Sequence, residues 1–154
     1  MRLYVIHMHF TRRKLLLTAA ALVLITGMTL LLAGCFRSSS HEEIRLATNQ
    51  QQVSYLEGLG WQVLPEPVET LDLQLPEDLT AQWRDYLALQ EKQGLPFGDC
   101  AGQTVRRFTY TVTNYPGFHD GVQANLFLCG DRLIGGDIIV TGENGFQTVL
   151  DFPK

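Results

Sequence analysis

The sequence predicts an α+β fold: one twisted antiparallel sheet of about five strands, with a main helix packed on one face and a short N-terminal helix. Both helical patterns end before residue 94, whereas the chain after residue 106 alternates with the period of two typical of strands. The length of 154 residues indicates one domain rather than two. Segregated helices and strands of this kind are typical of the α+β class.

The N-terminus has the pattern of an export signal. Four basic residues precede residue 15, namely Arg2, Arg12, Arg13 and Lys14. An apolar run of 20 residues follows over 15–34, and the first acidic residue of the chain is Glu42. A basic head before an apolar run directs export, and the basic cluster stays on the cytoplasmic side.

The end of the apolar run suggests how the chain is held at the membrane. The residues 32–35, Leu-Ala-Gly-Cys, look like a bacterial lipobox, so we expect cleavage before Cys35 and acylation of its thiol. The alternative is an uncleaved helix over 15–34, long enough to cross a bilayer. Both interpretations place the remaining chain at the outer face of the bacterial cytoplasmic membrane.

The predicted organisation is therefore a signal peptide over 1–34, a lipidated cysteine and flexible tether over 35–46, and a single exported domain over 47–154. After Gly34 the chain has eight basic and sixteen acidic residues, a net charge of −8. This charge disfavours nucleic acid and anionic wall polymers as partners and allows a basic one.

The exported domain begins with a predicted helix. Thr48 and Gln51 form a capping-box pattern that starts a short helix over 49–58. Residues 61–64 alternate like a strand, but Pro65 and Pro67 follow, so we predict an edge strand or a bend there. Residues 69–75 alternate well and predict a half-buried strand.

Residues 78–93 carry the strongest helical pattern of the domain. Their apolar residues recur at steps of three and four: Leu79, Trp83, Tyr86 and Leu87. Gly94 and Pro96 supply stop signals, so we predict that the main helix ends there.

The last third reads as an antiparallel meander. Four segments alternate and are predicted as strands: 107–113, 122–128, 133–140 and 146–152. Turn residues separate them, and Gly135-Gly136 predicts a β-bulge.

Three stretches resemble an uncharacterised bacterial family, domain of unknown function 4830. They are residues 59–63 with 65–68, residues 109–117 and residues 141–146. The resemblance covers about 46–154 and implies a small exported or membrane-anchored domain. It implies no activity, so no functional residue carries over from the family.

Cysteine and histidine give few candidates for chemistry. With Cys35 lipidated, Cys100 and Cys129 remain, and an oxidising compartment permits a disulfide between them. The alternatives are two unpaired cysteines, or a Cys-His pair using His119, which no nucleophile signature supports. No metal-ligand spacing occurs, and we predict neither a metal nor a cofactor.

Acidic pairs are the other candidates for catalysis. Glu66 with Glu69, and Glu77 with Asp78, lie close in sequence, but acids at strand ends and helix starts are more often solvated. Ser54 is the only serine outside residues 38–40. We therefore assign no catalytic residue.

Aromatic residues near turns or opposite the predicted core form a candidate binding surface. They are Trp61, Tyr115, Phe118, Phe127 and Phe146. The alternative is that they pack in a second small core, or in a sheet that is covered on both faces.

Three functions fit the sequence. The preferred one is a non-enzymatic, membrane-anchored module that binds an unidentified protein or small molecule. An exported hydrolase acting on cell-envelope material, such as a glycosidase, needs two acids about 5–9.5 Å apart in a cleft. A structural or assembly subunit is the third, and an unpaired edge strand at residues 69–75 would favour it.

Overall fold

The computed structural model describes residues 43–80 and 82–153. The predicted signal peptide, Cys35 and most of the predicted tether lie outside the described residues. The elements are α1 (Asn49–Gly58), β1 (Glu69–Gln74), α2 (Arg84–Gln93), a 3₁₀ helix (Phe97–Cys100), β2 (Thr104–Thr111), β3 (Val122–Cys129), β4 (Arg132–Val140) and β5 (Phe146–Thr148).

The five strands form one antiparallel sheet in the order β1-β2-β3-β4-β5. Each strand therefore pairs with the next one along the chain, and α2 lies in the connection between β1 and β2. The predicted α+β class and the five-stranded antiparallel sheet are confirmed. Within residues 43–80 and 82–153, no helix combines the length and the apolarity that a membrane span requires.

The first helix starts as its sequence pattern predicts. The Gln51 amide donates to Oγ1 of Thr48 at 3.3 Å, and the Thr48 amide donates to Oε1 of Gln51 at 3.1 Å. Leu56 is fully buried on the inner side of α1. The Tyr110 hydroxyl of β2 lies 2.5 Å from Oε1 of Gln52, which fixes α1 against one face of the sheet.

The main helix is shorter than predicted, because it begins at Arg84 rather than at residue 78. Asp78 accepts hydrogen bonds from the amide and the hydroxyl of Thr80, at 2.8 and 2.5 Å. Such a local side-chain turn competes with helix formation. The C-terminal end agrees with the prediction, since Gly94 ends α2 in the left-handed conformation with φ of 69°.

Both faces of the sheet are covered, so the domain has two cores. The core under α1 is built mainly from Leu56, Trp61, Tyr110, Leu126 and Ile138. The core on the other face, under α2 and the 3₁₀ helix, contains Leu79, Phe97, Val105, Phe127 and Ile134.

Three local features differ from the predicted strands. The bulge lies at Ile134, one residue before the predicted Gly135-Gly136, because Phe127 pairs with Gly135 and Leu128 with Leu133. The strand β2 covers Thr104–Thr111 instead of the predicted 107–113. Residues 61–64 form an isolated bridge, from Val63 to Val112, which agrees with the predicted edge or bend.

The final strand is the third difference, because it ends at Thr148 instead of residue 152. The amide of Leu150 donates to Oε1 of Gln93 at 2.6 Å, and the Leu150 carbonyl accepts from Nε1 of Trp61, also at 2.6 Å. Backbone groups bonded in this way are not available to continue pairing with β4.

The fold includes residues 43–46, the last four residues of the segment that the sequence assigns to the tether. The Leu46 amide donates to the Asp131 carbonyl at 2.7 Å, and the Leu133 amide donates to the Ile44 carbonyl at 2.8 Å. Leu46 is buried in the core under α1.

Candidate functional site

Four of the five aromatic residues singled out from the sequence lie in continuous contact. Trp61 stacks on Tyr115 with the ring centroids 5.6 Å apart. Tyr115, Phe118 and Phe146 form a triangle with centroid separations of 5.6, 6.0 and 5.9 Å. The edge-to-face geometry is the one that aromatic pairs prefer.

The four residues differ in accessibility. Trp61 is only 1% exposed, so it belongs to the core under α1. Phe118 and Phe146 are 38% and 40% exposed, and Tyr115 is half-buried between them and Trp61. We call Tyr115, Phe118 and Phe146 the aromatic patch.

Phe127 is not part of this surface. It is 5% exposed and lies on the opposite face of the sheet, where its ring contacts Tyr86 and Phe97 at centroid distances of 5.6 Å. Alternation placed Phe127 away from Leu126, as expected, but α2 and the 3₁₀ helix cover that side. Trp61 and Phe127 therefore pack in the two cores, as expected for the alternative in which both faces of the sheet are covered.

Two loops build the aromatic patch. One joins β2 to β3 and holds Tyr115 and Phe118, and the other joins β4 to β5 and leads into Phe146. The Gly121 carbonyl accepts from the amide and the hydroxyl of Thr141, at 2.8 and 2.9 Å, which ties the loops together. Gly121 has φ of 69°, and a Cβ there would meet Oγ1 of Thr141 at 2.7 Å.

The electrostatic setting of the aromatic patch is acidic. Residues 112–121 contain Asp120 and residues 141–145 contain Glu143, and neither segment has a lysine or an arginine. Asp120, Glu143 and His119 are all exposed. The two loop segments therefore carry a formal net charge of −2.

A second group of interest is a polar row that crosses the sheet on the α2 side. Thr109, Asn125 and Asp137 are successive cross-strand partners on β2, β3 and β4, and all three are buried. The Thr109 hydroxyl donates to Oδ1 of Asn125, and Nδ2 of Asn125 donates to Oδ1 of Asp137, both at 2.7 Å. The Tyr86 hydroxyl of α2 donates to Oδ2 of Asp137 at 2.9 Å.

Burial is the main influence on the acid in this row. Desolvation raises the pKa of Asp137, while hydrogen bonds from Asn125, Tyr86 and Gln147 and the charge of Arg107 oppose the rise. Burial, together with the nearby charge of Asp137, raises the pKa of Tyr86 well above its usual value. This group was not predicted from the sequence, although an acid in the middle of an otherwise apolar strand is a usable signal.

The acids are too dispersed to form a glycosidase pair on this face. Glu69 on β1 stands in the same cross-strand row as Asp137, three strand spacings away, or about 14 Å. Glycosidase carboxyl groups lie about 5–9.5 Å apart. Glu69 is instead paired with Arg107, whose Nε atom is buried without a hydrogen-bond partner among the described residues.

The other acids considered from sequence are exposed. Glu66 and Glu77 lie at the surface, and the hydrogen bonds from Thr80 lower the pKa of Asp78. In residues 43–80 and 82–153, no three His, Cys, Asp or Glu side chains come together as metal ligands would.

The two cysteines of the domain are free thiols that lie in the core under α2. Cys100 ends the 3₁₀ helix and Cys129 ends β3. His119 precedes the start of β3, and an eight-residue strand spans about 25 Å, so His119 and Cys129 lie near opposite ends of it. This separation disfavours the Cys-His pair considered from sequence.

Comparisons of the chain with protein-family models, with curated proteins and with solved structures find no match. The resemblance to domain of unknown function 4830 therefore stays a prediction.

Proposed function

We propose that the chain is a membrane-anchored, extracytoplasmic binding module without enzymatic activity, and that it binds a protein partner through the aromatic patch. The observation that carries the proposal is the triangle of Tyr115, Phe118 and Phe146, in which two rings are more than one third exposed. Aromatic residues are enriched at protein interfaces and often supply most of the binding energy.

The exposure of the aromatic patch favours a protein as the partner. The rings come from two loops at one end of the sheet, and Phe118 and Phe146 are 38% and 40% exposed. Small-molecule sites are usually concave and enclose most of the ligand. A protein can instead cover an open patch of rings together with its polar rim.

The charge of the surroundings specifies the chemistry of the partner. The two loops that hold the aromatic patch contain the exposed acids Asp120 and Glu143, and the chain after Gly34 has a net charge of −8. We therefore expect a partner segment in which an apolar side chain is flanked by lysines or arginines. Binding of this kind weakens as ionic strength rises, because salt screens exposed charges.

The membrane anchor can be tested separately from the binding surface. Cells grown with labelled palmitate should incorporate the label into the wild-type chain and not into Cys35→Ser. The intact mass of the extracted wild-type protein should correspond to cleavage before Cys35. An unmodified full-length chain in the membrane would favour the single-pass anchor, and the same chain in the cytosol would overturn the proposed location.

Site-specific photocrosslinking tests the binding surface in cells. A photoreactive phenylalanine analogue at Phe118 should give one discrete adduct with a protein, and the analogue at exposed Glu91 on α2 should not. The partner, once identified by mass spectrometry and purified, should bind the wild-type chain directly and lose at least tenfold in affinity for Phe146→Ser. Binding that is unchanged by Phe146→Ser, or an absence of adducts, would contradict the proposal.

A role as an assembly subunit is the second candidate, and the position of β1 favours it. This strand pairs only with β2 among the described strands, and five of its six residues are exposed. Exposed Leu71 lies on β1, with exposed Leu64 and Val68 shortly before it. An open edge can pair with the same edge of a second copy.

Light scattering of the detergent-extracted chain separates the two candidates. A dimer that Leu71→Lys converts to a monomer would support assembly through β1. A monomer whose partner binding is unaffected by Leu71→Lys would exclude assembly through β1 and favour the aromatic patch as the interface.

The exported hydrolase acting on cell-envelope material has less support. Glu69 and Asp137 are far apart, and each is already engaged, by Arg107 and by Asn125 with Tyr86 respectively.

A further inference from the structure

We propose that Cys100 and Cys129 form a redox-active thiol pair, which closes to a disulfide by exchange with small-molecule or protein disulfides. The pair lies at the end of the sheet opposite the aromatic patch, so this inference is independent of the proposed binding surface.

The fold brings the two cysteines to one arginine. Arg132 is the first residue of β4 and the cross-strand partner of Cys129, the last residue of β3. Its Nη2 donates to Sγ of Cys100 at 3.4 Å. Arg132 therefore bridges the 3₁₀ helix, which ends in Cys100, and the β3–β4 hairpin, which carries Cys129.

Cys100 and Cys129 also pack against the same core, the one under α2. Desolvation and the side chain of Cys100 raise the pKa of Cys129 to about 11, and the charge of Arg132 opposes this rise. The Sγ atom of Cys129 also donates a hydrogen bond to Oε1 of Gln103, at 3.3 Å.

Accessibility assigns different roles to the two thiols. Cys100 is completely buried, whereas Cys129 is partly exposed. An external disulfide can therefore reach Cys129 first. The buried Cys100 then attacks the sulfur of Cys129 from the core. The positive charge of Arg132 beside the Cys100 sulfur favours attack by Cys100, because the thiolate is the nucleophile. The raised pKa of Cys129 leaves little of its thiolate at neutral pH, so the first step should become faster as pH rises.

The guanidinium of Arg132 is itself held in place. Its Nε lies 3.7 Å from Oε1 of Glu43, and its Nη1 lies 3.8 Å from Oδ2 of Asp99. These exposed ion pairs contribute little energy on their own, but they orient the group that faces the Cys100 sulfur.

The exchange balances in two steps. The Cys129 thiolate attacks one sulfur of an external disulfide, a mixed disulfide forms, and the first external thiolate leaves and takes up the proton that Cys129 lost. The Cys100 thiolate then attacks Sγ of Cys129, the protein disulfide forms, and the second external thiolate takes up the proton from Cys100. Two protein thiols are oxidised, and one external disulfide is reduced to two thiols.

Peptide mapping after equilibration with reduced and oxidised glutathione tests the pair. The detergent-extracted full chain is alkylated and digested with trypsin without reduction. Cleavage after Lys92, Arg106, Arg107 and Arg132 places the two cysteines in separate peptides, 93–106 and 108–132. We expect these peptides to become linked as oxidised glutathione increases, and to separate again on reduction.

Single-cysteine variants test the assigned roles. Cys100→Ser should accumulate a glutathione adduct on Cys129, and Cys129→Ser should leave the buried Cys100 unmodified. Arg132→Gln should slow the second step about tenfold, so that the mixed disulfide on Cys129 accumulates. Arg84→Gln, at the exposed start of α2, is the matched control and should behave as wild type.

Peptides that stay unlinked in fully oxidised glutathione would overturn the inference, even if Cys129 alone becomes glutathionylated. Linkage between two chains, visible as a dimer without reduction, would also overturn it. Because the mapping uses extracted protein, its result does not depend on the binding function or on the form of the membrane anchor.

Discussion

Asp137 is an acidic residue inside a mostly apolar strand, and its ionisation affects the stability of the domain. The residue is 1% exposed, and its carboxylate accepts hydrogen bonds from Asn125 and Tyr86. An unpaired charge at such a position is costly, whereas hydrogen bonds to both oxygens offset much of the cost. The free energy of unfolding should therefore change with pH as Asp137 ionises.

We predict that Asp137→Asn removes a pH dependence of stability. Because burial raises the pKa of folded Asp137, its favourable contribution is complete below the unfolded value of about 3.9 and is lost as pH rises through the folded pKa. Unfolding by denaturant between pH 3 and 8 should show that Asp137→Asn gains stability relative to wild type as pH rises from the unfolded pKa of Asp137 to its folded pKa. At higher pH the difference should stay constant.

Asp72→Asn is the matched control with the opposite sign. The hydrogen bond from Arg106 lowers the pKa of Asp72, so its contribution is present above the unfolded value and is lost as pH falls through the folded pKa. The asparagine at this exposed position should therefore lower stability at neutral pH relative to acid. Parallel pH profiles of the two variants would contradict the explanation given for Asp137.

At the scale of elements, the start of α1 depends on a local hydrogen-bond pair. We predict that Thr48→Ala lowers the free energy of unfolding by about 1 kcal/mol, because it removes the acceptor for the Gln51 amide. Ser54→Ala, exposed within α1, should change stability by less than about 0.5 kcal/mol. Equal effects of the two substitutions in thermal or chemical unfolding would argue against the capping box.

The close approach of β4 to its neighbours requires a residue without a side chain at position 136. A Cβ at Gly136 would lie 2.3 Å from Cδ1 of Leu150 and 2.8 Å from the Asn125 carbonyl oxygen. We predict that Gly136→Ala lowers the free energy of unfolding by about 1–3 kcal/mol, measured by denaturant unfolding.

Gly58→Ala provides the comparison, since a Cβ at the end of α1 would meet nothing within 4 Å. This variant should be neutral or more stable by up to about 1 kcal/mol. A Gly136→Ala variant as stable as Gly58→Ala would mean that the segment holding Leu150 moves aside without cost.

Helix ends marked by one local signal were predicted correctly, whereas ends that depend on competing or distant contacts were not. The capping residues Thr48 and Gln51 and the stop at Gly94 act within a few residues, so the sequence indicates them directly. The late start of α2 depends on a side-chain turn at Asp78 that competes with an otherwise good helical pattern. The early end of β5 depends on Trp61 and Gln93, which are distant in sequence.

The candidate sites were less predictable for the same reason. Residue type and nearby turns pointed to Tyr115, Phe118 and Phe146, which the fold does bring together. Whether Phe127 is exposed depends on which face α2 covers, and alternation within a strand cannot specify this. The contact of Arg132 with Cys100 requires the β3–β4 register and the position of the 3₁₀ helix.

At the scale of the whole molecule, the thiol pair should change the stability of the fold. A disulfide between Cys100 and Cys129 would close a loop of about 30 residues, for which the chain-entropy model gives about 3–4 kcal/mol. We predict that the oxidised chain unfolds at a higher denaturant concentration than the reduced one. Cys129→Ser should show no difference between the two conditions, and equal stability of oxidised and reduced wild type would contradict this estimate.

The attachment of residues 43–46 also has a mechanical consequence. Any force applied through the N-terminus first loads the two backbone hydrogen bonds to Asp131 and Leu133, and then the buried side chain of Leu46. Those contacts lie beside Arg132, so pulling on the leading segment strains the corner that also holds the two sulfur atoms. In an optical trap, this segment should detach before the sheet ruptures, as a short extension step at low force.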